Sequence, residues 1–83
     1  MDRIDAMRAF VTVVSEGAFT RAAERLDMSP QLVSKYVSQL EQHLGVRLLN
    51  RTTRVVQLSD IGQRYHQQVQ RVIEGLQEAN QTA

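Results

Sequence analysis

The feature that most constrains the fold is the Ser29-Pro30 pair, which contains the only proline of the chain. Serine is a favoured helix N-cap. Proline at the first helical position costs no hydrogen bond, because the N–H that it lacks would be unpaired there. Glycine is a common stop signal after the last helical residue, and Gly45 stands in that place. The pair therefore predicts a helix that begins at Pro30 and ends near Leu44.

This helix has two chemically different faces. An apolar stripe within about 60° of its circumference, at about 100° per residue, consists of Val33, Val37, Leu40 and Leu44. The opposite face carries the hydrogen-bonding side chains of Gln31, Ser34, Lys35, Ser38 and Gln42. Glu41 is the only acid in the helix. The pattern predicts one face packed on a core and one face open to a polar partner.

Two further helices are predicted before this one. The first spans about 3–15, with Asp2 as its cap and Gly17 as its stop. The second is short, runs from a Thr20 cap to about residue 26, and is followed by a turn at Asp27-Met28. A short helix, a tight turn and a longer helix form a helix-turn-helix over about 19–38, although such a pair also occurs in ordinary helical bundles.

After Gly45 the pattern changes to short β-prone runs at Leu48-Leu49 and at 55–58. The polar turn between them, 50–54, contains two arginines. This spacing predicts a β-hairpin, or wing, over about 46–58. Strands this short are not stable alone, so we expect the wing to pack on the helices.

A final helix is predicted over 60–83, with Ser59 as its cap. Its apolar residues recur at steps of three and four, which is typical of a helix–helix interface. The residues assigned to a dimer interface are Ile61, Tyr65, Val69, Val72, Ile73, Leu76 and Ala79.

Charge and composition narrow the function. The formal net charge is only +1, yet residues 17–58 hold six basic side chains against three acidic ones. A local basic excess suits phosphate binding. There is no cysteine, no apolar run long enough to cross a membrane and no signal-peptide layout, so we expect a cytoplasmic protein. There is no Gly-rich phosphate loop, and the two histidines lack metal-ligand spacing, so we expect neither an enzyme nor a metal site.

The second helix of a helix-turn-helix inserts its N-terminal residues into the DNA major groove, where amide, hydroxyl and cationic side chains read base edges. Gln31, Ser34, Lys35 and Ser38 fit this role by type and by face. The alternative is a helical protein-interaction module in which the same face docks a protein.

Nearly the whole chain resembles the N-terminal domain of LysR-type bacterial transcriptional regulators. The matching positions are Phe10-Val11, 17–23, Leu26, 29–31, Val33-Ser34, Leu40-Glu41, 44–46, Leu48-Leu49, Arg51, Leu58-Ser59 and Gly62. Ala18 stands where the family often has serine, Lys35 where arginine is frequent and Ser59 where threonine is usual.

The resemblance implies a mainly α fold. It consists of a winged helix-turn-helix at 1–59, with three helices and a two-stranded wing, followed by a linker helix at 60–83 that pairs antiparallel with its twin. We therefore expect a homodimer on an inverted-repeat site in double-stranded DNA. It also implies a C-terminal effector domain that is absent here, so a small-molecule effector is expected there and no cofactor in this piece.

Position by position, the resemblance also implies which residues meet DNA. Ser29, Pro30, Gln31, Ser34 and Lys35 would approach bases or nearby phosphates. Thr20 and Arg21 would touch the backbone, and Arg54 would enter the minor groove. Arg51 would contact phosphate or brace the wing; both remain open.

Overall fold

Four helices and one short hairpin make up the part of the chain that the computed structural model describes, residues 2–50 and 56–82. In chain order they are α1 (Arg3–Glu16), α2 (Phe19–Leu26), α3 (Pro30–Leu44), β1 (Leu49–Asn50), β2 (Gln57–Leu58) and α4 (Asp60–Thr82). This order confirms the predicted mainly α winged helix-turn-helix followed by a long helix.

The caps of α1 and α3 are those that the sequence predicts. The Ser29 hydroxyl accepts a hydrogen bond from the Leu32 N–H at 3.1 Å, and the Asp2 carboxylate caps α1 in the same way. Both helices end at a left-handed glycine, Gly17 with φ 78° and Gly45 with φ 72°. Short-range chemistry therefore fixes where α3 begins and ends.

The predicted start of α2 is wrong. Its N-cap is Ala18 rather than Thr20, and Ala18 makes no side-chain capping bond. The Ala22 N–H donates to the Ala18 carbonyl at 3.1 Å, so the helix begins two residues earlier, where Phe19 packs against the core. The turn after α2 does use the left-handed region, with Asp27 at φ 56°.

The core lies where α1 meets α2, α3 and α4. Small alanines on α1 and α2 let these helices approach closely, and Phe10 is a fully buried large side chain at the centre. Complete burial of such a side chain contributes about 1.5–3 kcal/mol. The buried cluster consists of Ala6, Ala9, Phe10, Val13, Ala22, Ala23, Val33, Val37, Leu40, Leu48 and Leu49. Three members belong to α3, so one side of that helix is anchored.

The hairpin is antiparallel, with Leu49 opposite Leu58 and Asn50 opposite Gln57. Its strands are shorter than predicted. Leu48 lies outside β1 because its N–H donates to the Glu41 carboxylate at 2.7 Å and its carbonyl accepts from the Ser59 N–H at 2.9 Å. Its backbone is therefore bonded to α3 and to the start of α4.

The start of α4 approaches this connection very closely. The Ser59 hydroxyl caps α4 by accepting from the Gly62 N–H at 2.9 Å, as predicted. A Cβ at Gly62 would lie 2.1 Å from the Leu48 carbonyl oxygen, so only glycine fits there without a backbone shift. The hairpin base is thus held between α3 and α4.

Candidate nucleic-acid interface

The predicted reading face of α3 points outward as one surface. Ser29, Pro30, Gln31 and Lys35 are exposed, and Ser34 and Ser38 are partly buried. The opposite side of α3 is fixed in the core. A polar face on a helix that cannot rotate presents its side chains in one set of positions.

Thr20 and Arg21 lie exposed in the first turn of α2. The N-terminal end of a helix carries unpaired N–H groups and a partial positive charge, which favour an anion. Because Ala18 contributes no side-chain acceptor, this turn adds N–H donors to the cationic side chain of Arg21. The arrangement suits a phosphate oxygen.

Arg51 and Arg54, the two predicted wing residues, lie outside the described residues. The structure does give the ends of the strands that flank them, Asn50 in β1 and Gln57 in β2. Their predicted roles therefore stay predictions.

The cations near α3 are not neutralised within the described part of the chain. The ion pair found there joins Arg25 to Glu16 at 3.0 Å, away from α3. Across residues 2–50 and 56–82, no carboxylate lies within ion-pair distance of Arg21, Lys35 or Arg47. These three charges face solvent and are available to an anionic partner.

The predicted dimer residues divide into two strips on α4. Val69 and Ile73 are 3% and 8% exposed and pack within the chain. Ile61 and Val72 are 47% and 50% exposed, with Ala79 exposed and Tyr65 and Leu76 half-buried beside them. The chain itself covers the first strip, and the outer strip (Ile61, Tyr65, Val72, Leu76, Ala79) remains largely open.

Aromatic rings join α4 to the core. The Phe10 ring lies 5.7 Å from Tyr65 and 5.9 Å from His66, centroid to centroid. Burial raises the pKa of Tyr65, which the charge of Arg3 opposes, and burial lowers the pKa of His66. The Tyr65 hydroxyl oxygen is buried without a hydrogen-bond partner in the described part of the chain.

Three residues have structural roles at this surface that the sequence patterns did not predict. Glu41 accepts hydrogen bonds from the Leu48 and Leu49 N–H groups. The one feature of the sequence that sets Glu41 apart is that it is the only acid of α3. Gly62 allows the close approach of α4, which no local pattern announces. Arg47 lies in the connection between α3 and β1, beside the reading face.

The described residues contain no group of metal-binding side chains. Nor does any helix among them have the length and apolar character to cross a membrane.

A family model described as "Bacterial regulatory helix-turn-helix protein, lysR family" matches residues 4–63. The chain belongs to this family. Membership confirms the resemblance seen in the sequence. It also confirms that the chain is not an enzyme, because the family and the relatives below are regulators.

Among curated relatives, the HTH-type transcriptional repressor PA14_22550 of Pseudomonas aeruginosa (strain UCBPP-PA14) is 48% identical over 82 residues, which cover 99% of this chain and 26% of that protein. The chain thus spans about a quarter of the relative's length. The regulator CrgA of Neisseria meningitidis serogroup C (strain 8013) is 46% identical over 70 residues, covering 84% of this chain and 23% of that protein.

A solved complex of the BenM DNA-binding domain with catB site 1 DNA superposes with a TM-score of 0.92 at 29% identity, covering 99% of this chain and 91% of that one. These names and structures do not favour the alternative of a helical protein-interaction module.

Proposed function

We propose that this chain is the sequence-specific DNA-binding part of a cytoplasmic bacterial transcriptional regulator, with α3 in the major groove of double-stranded DNA. The observation that carries the proposal is the outward polar face of α3, anchored from behind by Val33, Val37 and Leu40. Similarity to solved domains in complex with DNA supports the same assignment.

In this proposal the N-terminal half of α3 reads base edges. Gln31 presents an amide that pairs with two atoms of adenine, and Lys35 presents a cation that favours guanine. Ser34 and Ser38 add hydroxyls that donate and accept. Ser29 and Pro30 bring the start of the helix to the floor of the groove.

Phosphate contacts would fix the register while the few base contacts select sequence. Thr20 and Arg21 meet one strand through the first turn of α2. Arg54 enters the minor groove where A·T-rich sequence narrows it. Arg51 contacts phosphate or braces the wing.

We also propose that the outer strip of α4 pairs antiparallel with the same strip of a second copy. Two half-exposed aliphatic side chains, Ile61 and Val72, on one helix face support this assignment, because apolar area left in water favours association. Val69 and Ile73 would hold the helix to its own domain. Two-fold symmetry then requires an inverted-repeat DNA site. A small-molecule effector would bind a separate C-terminal domain, and this part would need no cofactor.

The DNA assignment is tested by selecting bound duplexes from a random pool and measuring affinity for the selected duplex across a salt series. We expect the logarithm of the binding constant to fall linearly with the logarithm of the salt concentration, with a slope of about −0.9 for each phosphate neutralised. Gln31→Ala should cost about 1–3 kcal/mol at one base-pair position and relax preference there. Gln67→Ala, an exposed glutamine of α4, is the matched control and should change nothing. A flat salt response, or no binding to any duplex, would refute the proposal.

The dimer is tested by sedimentation of Val72→Asp over a range of concentrations. An aspartate in the outer strip would place a charge in an apolar interface, so we expect monomers and weaker binding to the paired site. Gln67→Asp adds the same charge outside the strip and should leave the dimer intact. An unchanged dimer in Val72→Asp would place the interface elsewhere.

A further inference from the structure

Arg47 lines a groove at the C-terminal end of the reading face. The groove has a volume of about 390 Å³ and is lined by Ser38, Glu41, Gln42, Gly45, Val46 and Arg47. Ser38 and Gln42 belong to the polar face of α3, and Arg47 is exposed. The arginine therefore extends the polar face of α3 toward the hairpin.

The backbone around Arg47 is held firmly. The Ser59 hydroxyl donates to the Arg47 carbonyl at 2.6 Å. The next N–H along the chain, that of Leu48, donates to the Glu41 carboxylate at 2.7 Å, and the Leu48 side chain is fully buried. The base of the Arg47 side chain is thus fixed relative to both α3 and α4, while its guanidinium reaches solvent.

The local charges leave that guanidinium available. No carboxylate in residues 2–50 or 56–82 lies within ion-pair distance of it. Glu41, the acid in the same groove, accepts hydrogen bonds from two backbone N–H groups, those of Leu48 and Leu49. An exposed arginine on a fixed backbone is well suited to bind a phosphate oxygen through two parallel hydrogen bonds.

In the proposed complex with DNA, a backbone phosphate lies near Arg47. When α3 lies in the major groove and the wing meets the adjacent minor groove, one sugar–phosphate strand runs between them. Arg47 lies in the connection between α3 and the hairpin, where that strand must pass. We propose that Arg47 is a further DNA-binding residue that holds a backbone phosphate of this strand. It would fix the register without selecting bases, an inference that rests on the proposed DNA binding.

The experiment compares wild type, Arg47→Gln, Arg47→Lys and Arg71→Gln on one selected duplex across a salt series. Arg47→Gln removes one phosphate contact from each protomer, so for the proposed dimer the log–log slope should be shallower by about 1.8. Its affinity relative to wild type should therefore recover by about 12-fold between roughly 50 and 200 mM salt. Arg47→Lys keeps the charge and should keep the wild-type slope. Arg71, exposed on α4, is the matched arginine whose loss should leave both quantities unchanged.

The ranking of half-site variants provides the second readout. We expect Arg47→Gln to weaken binding to all of them by the same factor, since a phosphate contact carries no sequence information. An unchanged slope, or a loss confined to one base pair, would overturn the inference while the steep wild-type slope still supports DNA binding. A flat response of the wild type would overturn both.

Discussion

Replacing Gly62 with alanine tests the close approach of α4 to the hairpin base. The added Cβ would lie 2.1 Å from the Leu48 carbonyl oxygen, 2.9 Å from the Leu48 carbonyl carbon and 3.0 Å from the Ser59 hydroxyl. A carbon–oxygen contact of about 3.3 Å is the close end of the ordinary range, so the two backbones must separate by about 1.2 Å. The first two obstacles are backbone atoms, which no side-chain rotation can move aside.

The expected cost follows from three contributions. Overpacking costs about 1–3 kcal/mol. Lengthening the hydrogen bonds from Ser59 to Leu48, at 2.9 Å from the N–H and 3.2 Å from the hydroxyl, adds about 1 kcal/mol. Against these, alanine favours the helix over glycine by about 0.5–1 kcal/mol. Gly62→Ala should therefore lower the free energy of unfolding by about 1–3.5 kcal/mol, or Tm by roughly 4–28 °C.

Gly75→Ala is the matched control, because Gly75 belongs to the same helix and a Cβ there meets nothing within 4 Å. Only the propensity gain remains, so this variant should be more stable than wild type by about 0.5–1 kcal/mol. Urea and thermal unfolding are followed by circular dichroism for all three proteins at one concentration, since association makes Tm concentration-dependent. If both alanines stabilise the protein equally, the close approach is wrong.

Three further variants probe the interior. Glu41→Ala removes the acceptor of two backbone N–H groups and should lower the free energy of unfolding by about 2–3 kcal/mol in urea; wild-type stability would show that these bonds contribute little. Tyr65→Phe removes a buried hydroxyl without a partner among the described residues, so urea unfolding should show stability equal to wild type or higher by about 1 kcal/mol; a clear loss would reveal a hydrogen bond. Because burial lowers the pKa of His66 below its usual 6.5, the unfolded chain binds its proton first, and stability should fall as pH drops below about 6.5. Thermal unfolding of His66→Gln across that range should show a weaker pH dependence, and an unaltered profile would assign the effect to other groups.

The sequence predicts α3 well because its boundaries depend on neighbouring residues alone. Ser29, Pro30 and Gly45 encode the start and the stop, and the structure uses all three. The start of α2 was misplaced because a good capping residue, Thr20, stands two positions after the true cap. Packing of Phe19 against the core outweighs the capping preference, and packing of that kind is not visible in a local pattern.

The apolar stripe of α4 shows a second limit. Its period correctly predicts a long helix with a packed face, but the period alone cannot say which molecule does the packing. The structure separates Val69 and Ile73, which the chain itself buries, from the half-exposed Ile61 and Val72. The position of Arg47 beside α3 could not be predicted from the local sequence either, because it depends on how the segment between α3 and β1 folds back against α3.

The connection at Leu48 joins the start of the long helix to the C-terminal half of the reading helix through the bonds of a single residue. The Leu48 N–H donates to the Glu41 carboxylate, the Leu48 carbonyl accepts from the Ser59 N–H, and the Gly62 backbone lies close to the same carbonyl. The described part of the domain is 42 Å in its longest dimension. A rotation of about 10° about one end would move a point halfway along that length by about 3.7 Å, close to the roughly 3.4 Å rise of one base pair. In the proposed dimer, a small change in the angle between the paired helices would therefore move the two reading helices out of register with their half-sites by a full base pair.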